Sequence, residues 1–276
     1  MPRRILSTVL LTALTVTTAL SAASPTADAS TGPSRVVDVM TFNIHHAAGT
    51  DDVLSLDRIA SVITSSGADI IGLQEVDNHY SERSEWTDEA AELAERTGFH
   101  VVFGANIDND PPAGSTDRIQ YGTAILSRYP IVASDNTHLF RSPDQEQRGL
   151  LHATIDVRGR QLDFYNTHLS ASSQLDRQQQ AEQIVDLIGS DDPAILTGDL
   201  NAEPDDPELK PLTTAYIDSW TAAGKGDGWT HPSEAPTKRI DFILGTDAVN
   251  PVRTRVLDNT PEASDHLPVI SRIVLG

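Results

Sequence analysis

Ten runs of apolar residues along the chain are typical of β-strands. Several of them are continuously apolar, as strands covered on both faces are, and others alternate apolar and polar positions. The runs are "RVVDVMTFNI", "ADIIGLQEV", "HVVFGA", "YGTAILSRYPIV", "RGLLHATIDV", "RQLDFYNTHL", "AILTGDLN", "RIDFILG", "VRTRVL" and "LPVISRIVL". The sequence "VRGRQ" predicts a hairpin turn at Arg158–Gly159, between two of these strands.

Three segments have the spacing of amphipathic helices. They span residues 55–67, 87–98 and 173–189, and each ends at a glycine. A single parallel sheet would need a helix after nearly every strand, and three helices are too few for ten strands. The pattern therefore predicts an α/β protein with two stacked sheets and helices outside, a four-layer α/β/β/α sandwich, in one domain over residues 36–276.

The amino-terminal residues have the pattern of a secretory signal peptide rather than of the folded domain. Arg3 and Arg4 precede a threonine-rich apolar run, and "ADA" at Ala27–Ala29 supplies small residues around a cleavage point. A membrane anchor is the alternative, but the run is short for a span and no basic stop follows it. We expect residues 1–29 to be a signal peptide, residues 30–35 a polar leader, and the protein to be secreted and extracellular, with no integral membrane span.

Composition limits the chemistry. The chain contains no cysteine, which excludes thiol catalysis and thiolate metal sites, so a bound metal would have oxygen and imidazole ligands. Lys and Arg number 20 against 40 Asp and Glu, a formal net charge of −20. Such a charge repels polyanions at long range and disfavours nucleic acid as the main partner.

Polar side chains gather where the predicted strands end. One such residue is weak evidence for a site, but the ends of six strands carry them, which favours one convergent site. An ionised Asp241 between Ile240 and Phe242 would need a partner or a metal to offset its desolvation. The strand-end residues are Asn43, His45, His46, Gln74, Glu75, Asp77, Asn166, His168, Asp199, Asn201, Asp241, Asp265 and His266.

These motifs resemble a known family. In order and spacing, "TFNIHH", "LQEVD", "YGTAILSR", "NTHLS", "GDLNAEP", "RIDFIL" and "SDHLPV" are similar to the endonuclease/exonuclease/phosphatase superfamily, with its deoxyribonuclease I-like fold. The resemblance covers nearly the whole mature chain. It implies a four-layer sandwich and a metal-dependent hydrolase of phosphoric esters.

The resemblance also implies a role for each site residue. Three residues would form the metal shell: Glu75 as principal ligand, with Asn43 close by and Asp265 completing it. Asp199 and Asn201 would orient and deprotonate the attacking water, or hold a second cation. His168 and His266 would bind the phosphoryl oxygens, and Asp241 would pair with His266. We expect the cation to be Mg²⁺, with Ca²⁺ or Mn²⁺ as alternatives.

The sequence around these motifs is similar to that of a secreted bacterial branch of the superfamily. It is also similar to a luminal domain of proteins tied to glycosylphosphatidylinositol remodelling. This favours a phospholipase C-like phosphodiesterase acting on phospholipid or glycerophospho head groups. Four further residues are expected on the substrate side, each with a structural role as its alternative: His46, Arg83, Tyr121 and Arg148.

Two other functions stay open at this point. One is a secreted endonuclease, although no run of Lys and Arg with interleaved aromatic residues is present to follow a nucleic-acid backbone. The other is a metal-dependent binding module for phosphorylated ligands, without catalysis. The sequence indicates no protein partner. One segment, "GDGWTHPSEAPT", could contact a lipid surface or cover the site.

Overall fold

The computed structural model describes residues 35–189 and 192–275, together with Met1, and contains twelve β-strands in that part of the chain. The predicted signal peptide lies outside these residues apart from Met1, as does the leader apart from Arg35. The strands are β1 (Arg35–Asn43), β2 (Ile70–Asn78), β3 (His100–Asn109), β4 (Ile119–Ser127), β5 (Ile131–His138), β6 (Gly149–Asp156), β7 (Gln161–His168), β8 (Ala194–Asp199), β9 (Ile217–Asp218), β10 (Asp241–Gly245), β11 (Val249–Val256) and β12 (Val269–Leu275).

The three predicted helices are present, and two short ones were not predicted. The helices are α1 (Leu56–Ser66), α2 (Glu89–Thr97), α3 (Gln174–Ile188), α4 (Lys210–Ala215) and α5 (Ser219–Ala223). Ser55, Asp88 and Ser173 cap the three longer helices by accepting a backbone N–H in the first turn. Gly67 and Gly98 end α1 and α2 in the left-handed conformation, with φ of 75° and 73°. Helices α4 and α5 have six and five residues, too few to show a helical period.

One strand prediction was wrong. The run "YGTAILSRYPIV" is two strands, because β4 ends at Ser127 and β5 begins at Ile131. The Ser127 hydroxyl accepts from the backbone N of Tyr129 at 3.0 Å, and Pro130 has no N–H to continue a ladder. The break carries the chain from one sheet to the other.

Two six-stranded sheets stack face to face. The first has the order β11-β12-β1-β2-β4-β3 and the second β5-β6-β7-β8-β10-β9. Three buried apolar layers separate the elements: one under α1 and α2, one between the sheets, and one under α3 and α4. The predicted four-layer α/β/β/α sandwich is confirmed. The predicted hairpin between β6 and β7 is also present, with Arg158 and Gly159 at φ of 56° and 84°.

The topology brings the polar strand ends to one rim of the sandwich. Parallel pairing places Asn43 beside Gln74 on β1 and β2, and His168 beside Asp199 on β7 and β8. Antiparallel pairing places Asp241 beside Asp199. In the described part of the chain, no helix is long and apolar enough to cross a membrane.

Candidate active site

Asp199 lies at the centre of the rim, buried at the end of β8. Its Oδ2 accepts a hydrogen bond from Asn43 Nδ2 at 3.0 Å and lies 3.5 Å from His168 Nε2 and 3.6 Å from His266 Nε2. Its Oδ1 accepts from the backbone N of Asn201 at 2.9 Å. Burial raises the pKa of Asp199 to about 7, against the opposing charge of His266. Side chains from both sheets therefore surround the Asp199 carboxylate.

His266 is held between two carboxylates. Its Nδ1 lies 2.9 Å from Asp241 Oδ2, and its Nε2 points towards Asp199. Burial alone would lower the pKa of His266, but Asp241 and Asp199 raise it to about 10. The ring is therefore an imidazolium at neutral pH. Within the described residues, Asp241 Oδ1 has no hydrogen-bond partner although it is buried.

His168 is in the opposite charge state. Its pKa is well below the usual value because of burial, with smaller effects from Arg148 and His266. Asn201 uses its side-chain amide to donate to His168 Nε2 at 2.9 Å and to the Leu169 carbonyl at 3.1 Å. This bond places the proton of the neutral imidazole on Nδ1, which is buried and unpartnered among the described residues. Its predicted contact with phosphoryl oxygens stays a prediction.

Glu75 reaches the site through a bulge in β2. The register opposite β4 skips between Gln74 and Val76, and Glu75 has a φ of 59°. The bulge directs the half-buried carboxylate towards β1, where Oε1 accepts from Asn43 Nδ2 at 3.0 Å. Asn43 Oδ1 accepts from the backbone N of His45 at 3.1 Å. In this orientation Asn43 joins the Glu75 and Asp199 carboxylates through its nitrogen, and its role as an oxygen ligand stays a prediction.

Asp265 belongs to the segment before β12, which is tied to β1. Ser264 Oγ donates to the Asn43 carbonyl at 2.7 Å and accepts from the backbone N of His266 at 3.2 Å. The Asp265 side chain is half-buried at the same rim. Asp265 therefore offers a second accessible carboxylate at the rim, but its ligand oxygen groups with His231 and His266, whereas that of Glu75 groups with His45 and His46. The shared metal shell of Glu75 and Asp265 stays a prediction.

The donor atoms at the rim suit a divalent cation. In the described residues, three groups have ligand atoms within 4.8 Å of one another. They supply carboxylate oxygens and imidazole nitrogens, ligands compatible with Mg²⁺, Mn²⁺ or Ca²⁺. His266, as an imidazolium, has no lone pair for a metal, so the carboxylates of its two groups are the candidate ligands there. The unpartnered Asp241 Oδ1 is a further buried acceptor. The groups are His45, His46 and Glu75; His231, Asp265 and His266; and Asp199, Asp241 and His266.

Sequence reasoning missed His231. Its ring centroid lies 4.7 Å from that of His266, at an angle of 45°. The loop that carries it is fixed to the catalytic segment, since Ser233 N donates to the Asp265 carbonyl at 2.7 Å and Leu267 N to the Thr230 carbonyl at 2.8 Å. The residue lies in the segment "GDGWTHPSEAPT", which was expected to contact a lipid surface or cover the site, but the histidine itself was not singled out.

Arg83 is engaged by a buried acid. Its Nε and one terminal nitrogen donate to the two oxygens of Asp77 at 2.9 and 2.7 Å. The guanidinium also lies 4.7 Å from the ring centroid of Tyr80 and 5.5 Å from that of Tyr121. Near it, burial lowers the pKa of His46 to about 4, helped by the charges of Arg83 and His45. Arg83 thus has a structural role in its ion pair with Asp77. The substrate-side roles of Arg83 and His46 stay predictions.

Tyr121 and Arg148 are both buried close to the site. Tyr121 lies opposite Asp77 in the β2–β4 pairing, and its pKa is raised well above the usual value by burial and then by Glu75. A terminal nitrogen of Arg148 lies 2.8 Å from Glu146 Oε1, while its Nε has no partner in the described part of the chain. Arg148 thus retains a donor, although its predicted contact with substrate is untested.

Two of the strand-end amides join the sheets beneath the site. Gln74 Nε2 donates to Asn166 Oδ1 at 2.7 Å, and Asn166 Nδ2 donates to the carbonyls of Leu73 and Ala124 at 2.8 and 3.0 Å. All these groups are buried. Gln74 and Asn166 therefore fix the spacing of the sheets that carry Glu75 and Asp199.

Comparison with known proteins assigns the class. The model of the endonuclease/exonuclease/phosphatase family matches residues 40–266. The chain belongs to this family, whose members hydrolyse phosphoric esters, and it is an enzyme of that class. Members of the family generally depend on divalent metal, in agreement with the donor groups at the rim.

Individual relatives cover different parts of the chain. An endonuclease/exonuclease/phosphatase from Beutenbergia cavernae is 27% identical with a TM-score of 0.73, over 88% of this chain and 72% of that one. The mannosyl-6-phosphatase of Bacteroides thetaiotaomicron is 22% identical with a TM-score of 0.69, over 87% of this chain and 100% of that one, and shows the fold alone. Protein cwh43 of Schizosaccharomyces pombe is 29% identical over 148 residues, which are 53% of this chain. The match spans only 14% of that relative.

Proposed function

We propose that the protein is a secreted, Mg²⁺-dependent phosphodiesterase that directs water at a phospholipid or glycerophospho head-group diester. The observation that carries the proposal is the row Asp241–His266–Asp199. It puts a buried imidazolium next to a buried carboxylate at one rim. Hydrolysis of a phosphodiester needs a cationic donor for the phosphoryl oxygens and an acceptor for the proton of the attacking water.

Each residue has one task in this proposal. Asp199 accepts a proton from the water, and Asn201 fixes the Asp199 carboxylate through its backbone N–H. His266 donates from Nε2 to a phosphoryl oxygen, while Asp241 holds the ring by its Nδ1. Glu75 and Asp265 would hold the cation. When bound, a divalent cation neutralises phosphoryl charge and lowers the pKa of a coordinated water.

The substrate class is supported by charge. A chain with a formal charge of −20 repels a long polyanion more than it repels a diester with a single charge. The sequence resemblance to the secreted bacterial branch likewise favours a lipid head-group diester over nucleic acid. The mannosyl-6-phosphatase fold leaves a phosphomonoester as the second candidate, and duplex DNA is the third.

Phosphorus NMR with a mixed substrate panel tests the proposal. The panel contains phosphatidylinositol, phosphatidylcholine, sphingomyelin, glycerophospho diesters, mannose 6-phosphate and duplex DNA, with Mg²⁺ or with EDTA. We expect new phosphomonoester resonances from a lipid or head-group diester that EDTA abolishes and that Asp199→Asn slows. Cleavage of DNA alone, or release of inorganic phosphate alone, would contradict the diester proposal.

Secretion is tested separately from activity. The proposal places the mature amino terminus near Ser30, after "ADA". Expression of the full chain in a secreting bacterial host, followed by amino-terminal sequencing of the medium, should give a protein that begins there. An uncleaved chain retained with the cells would contradict it.

A further inference from the structure

A groove of about 790 Å³ runs along the flank of the sandwich, lined by α5, the loop after it and β11. Trp220 and Trp229 contribute aromatic surface and Val252 contributes aliphatic surface, whereas Leu267 lines the groove but is buried. Trp220 is fixed, because its indole N–H donates to the Gly226 carbonyl at 3.1 Å. Trp229 and Val252 are 44% and 48% exposed. Two exposed apolar side chains therefore lie in one groove.

Three cationic side chains line the same groove: Lys225, Arg253 and Arg255. All three are exposed, and none makes an ion pair with another described residue. Asp227 and Asp258 are the acidic residues of the lining. The groove therefore has a local excess of positive charge on a chain with twice as many acidic as basic residues. Salt screens charges more than about 8–10 Å away, so the local excess governs a docked surface.

Protection of the sheet edge explains only part of this arrangement. Strand β11 is an edge strand, and charged side chains on edge strands prevent pairing with other chains. Arg253 and Arg255 fit that role. Exposed Trp229 and Val252 do not, because apolar residues at an edge promote association. The combination of aromatic, aliphatic and cationic groups is typical of surfaces that bind the lipid–water interface.

The groove adjoins the candidate active site. Trp229 lies two residues before His231, whose ring packs on His266. Leu267 lines the groove and directly follows His266 in the chain. Consecutive Cα atoms are about 3.8 Å apart. Leu267 and Trp229 therefore keep the groove close to the His266 imidazolium and to the His231 ring that packs on it.

We propose that this groove docks on a phospholipid bilayer with anionic head groups. Trp229 and Val252 enter the head-group region, and Arg253 and Arg255 bind lipid phosphate oxygens. The inference rests on the proposed function, because docking would present a lipid diester to the adjacent site. Vesicle binding is nevertheless measured without turnover, so the two can fail independently.

Vesicle co-sedimentation in EDTA tests the docking. We expect residues 30–276 to bind phosphatidylcholine vesicles containing 30% phosphatidylglycerol much more strongly than pure phosphatidylcholine vesicles, and to be released by 0.5 M salt. A positive charge near an anionic membrane is worth about 1 kcal/mol, roughly fivefold, so Arg253→Gln with Arg255→Gln should weaken binding roughly 25-fold. The matched control, Arg141→Gln with Lys210→Gln, removes two exposed cations elsewhere and should change binding little.

Tryptophan fluorescence locates the contact. The chain has three tryptophans, and Trp86 is 46% exposed outside the groove. Brominated lipids should quench the Trp86→Phe variant on binding more strongly than the Trp229→Phe variant, in which Trp220 is the tryptophan that remains in the groove. Absence of vesicle binding, equal binding to both vesicles, or equal losses in groove and control variants would overturn the inference. So would a concentration-dependent dimer in sedimentation velocity that Trp229→Ala abolishes, since the groove would then bind a second copy. Diester hydrolysis without vesicle binding would overturn the docking alone.

Discussion

Replacing Glu89 by glutamine should stabilise the fold, by an amount that grows with pH. Glu89 is fully buried at the start of α2, where Oε2 accepts from the backbone N of Asp77 at 2.8 Å. Its Oε1 has no partner among the described residues. Burial raises its pKa from 4.5 to about 9. The native state therefore keeps a proton on Glu89 that the unfolded chain releases above pH 4.5.

The size of the effect follows from this difference. Stability from a raised pKa is fully present below pH 4.5 and falls by about 1.4 kcal/mol per pH unit until the folded pKa is reached. At pH 7 the unfolding free energy is therefore about 3 kcal/mol lower, through the Glu89 carboxyl alone, than it is below pH 4.5. Glutamine has no such dependence, and its carbonyl can still accept from Asp77 N.

Urea unfolding followed by circular dichroism at pH 5, 7 and 9 measures the difference. We expect the advantage of Glu89→Gln over the native chain to increase across this series and to level off above pH 9. Glu208→Gln is the matched control. Burial would raise the pKa of Glu208, but hydrogen bonds from Arg177 lower it, and the two side chains lie 2.7 Å apart. That substitution should destabilise the fold at pH 7. A pH-independent advantage for Glu89→Gln would refute the reasoning.

Three further predictions concern the site and its support. Asp199→Asn should lower kcat about 10²–10⁴-fold on bis(p-nitrophenyl) phosphate, because the general base is lost; an unchanged kcat would assign that role elsewhere. Gly72→Ala should lower the unfolding free energy by about 1–3 kcal/mol in urea titrations, since its Cβ would lie 2.1 Å from Thr197 Oγ1; full stability would show that the sheets can separate. Mg²⁺ at about 100 times its dissociation constant should stabilise the native chain by about 2.7 kcal/mol in thermal melts, and Glu75→Gln should lose this gain; equal gains would exclude Glu75 as a ligand.

The sequence predicted the features that depend on local pattern. Continuous apolar strands with polar ends at "FNI", "LQEV", "NTHL" and "GDLN" indicated two sheets with a shared rim. Parallel pairing of β1 with β2 and of β7 with β8 then brings those ends together. The cost of burying an isolated carboxylate predicted a partner or a metal for Asp241, and the resemblance to the family implied that the partner is His266.

Features set by tertiary contacts were not predictable. The break at Ser127–Tyr129 is different, because it is local: the Ser127 hydroxyl accepts from a backbone N two residues on, and Pro130 within the run is a sequence signal for it. The position of His231 depends on hydrogen bonds between two segments more than 30 residues apart in the chain, Thr230–Ser233 and Asp265–Leu267. Likewise, the raised pKa of Glu89 arises from the burial of the first residue of α2 in the fold, which its sequence neighbours do not indicate.

The most direct test concerns the carboxylates at the rim. In the proposed function, Glu75 and Asp265 hold a divalent cation beside the Asp199–His266 pair, and this site hydrolyses phosphoric esters. Hydrolysis of bis(p-nitrophenyl) phosphate should be measured against Mg²⁺ concentration for the native chain, Glu75→Gln, His266→Asn and the exposed control Glu95→Gln.

We expect saturable activation by Mg²⁺ in the native chain and the control. Glu75→Gln should need much more Mg²⁺, while His266→Asn should lose kcat at unchanged Mg²⁺ affinity. Turnover in the native chain that persists in EDTA, or that neither substitution lowers, would contradict metal-dependent hydrolysis at this rim.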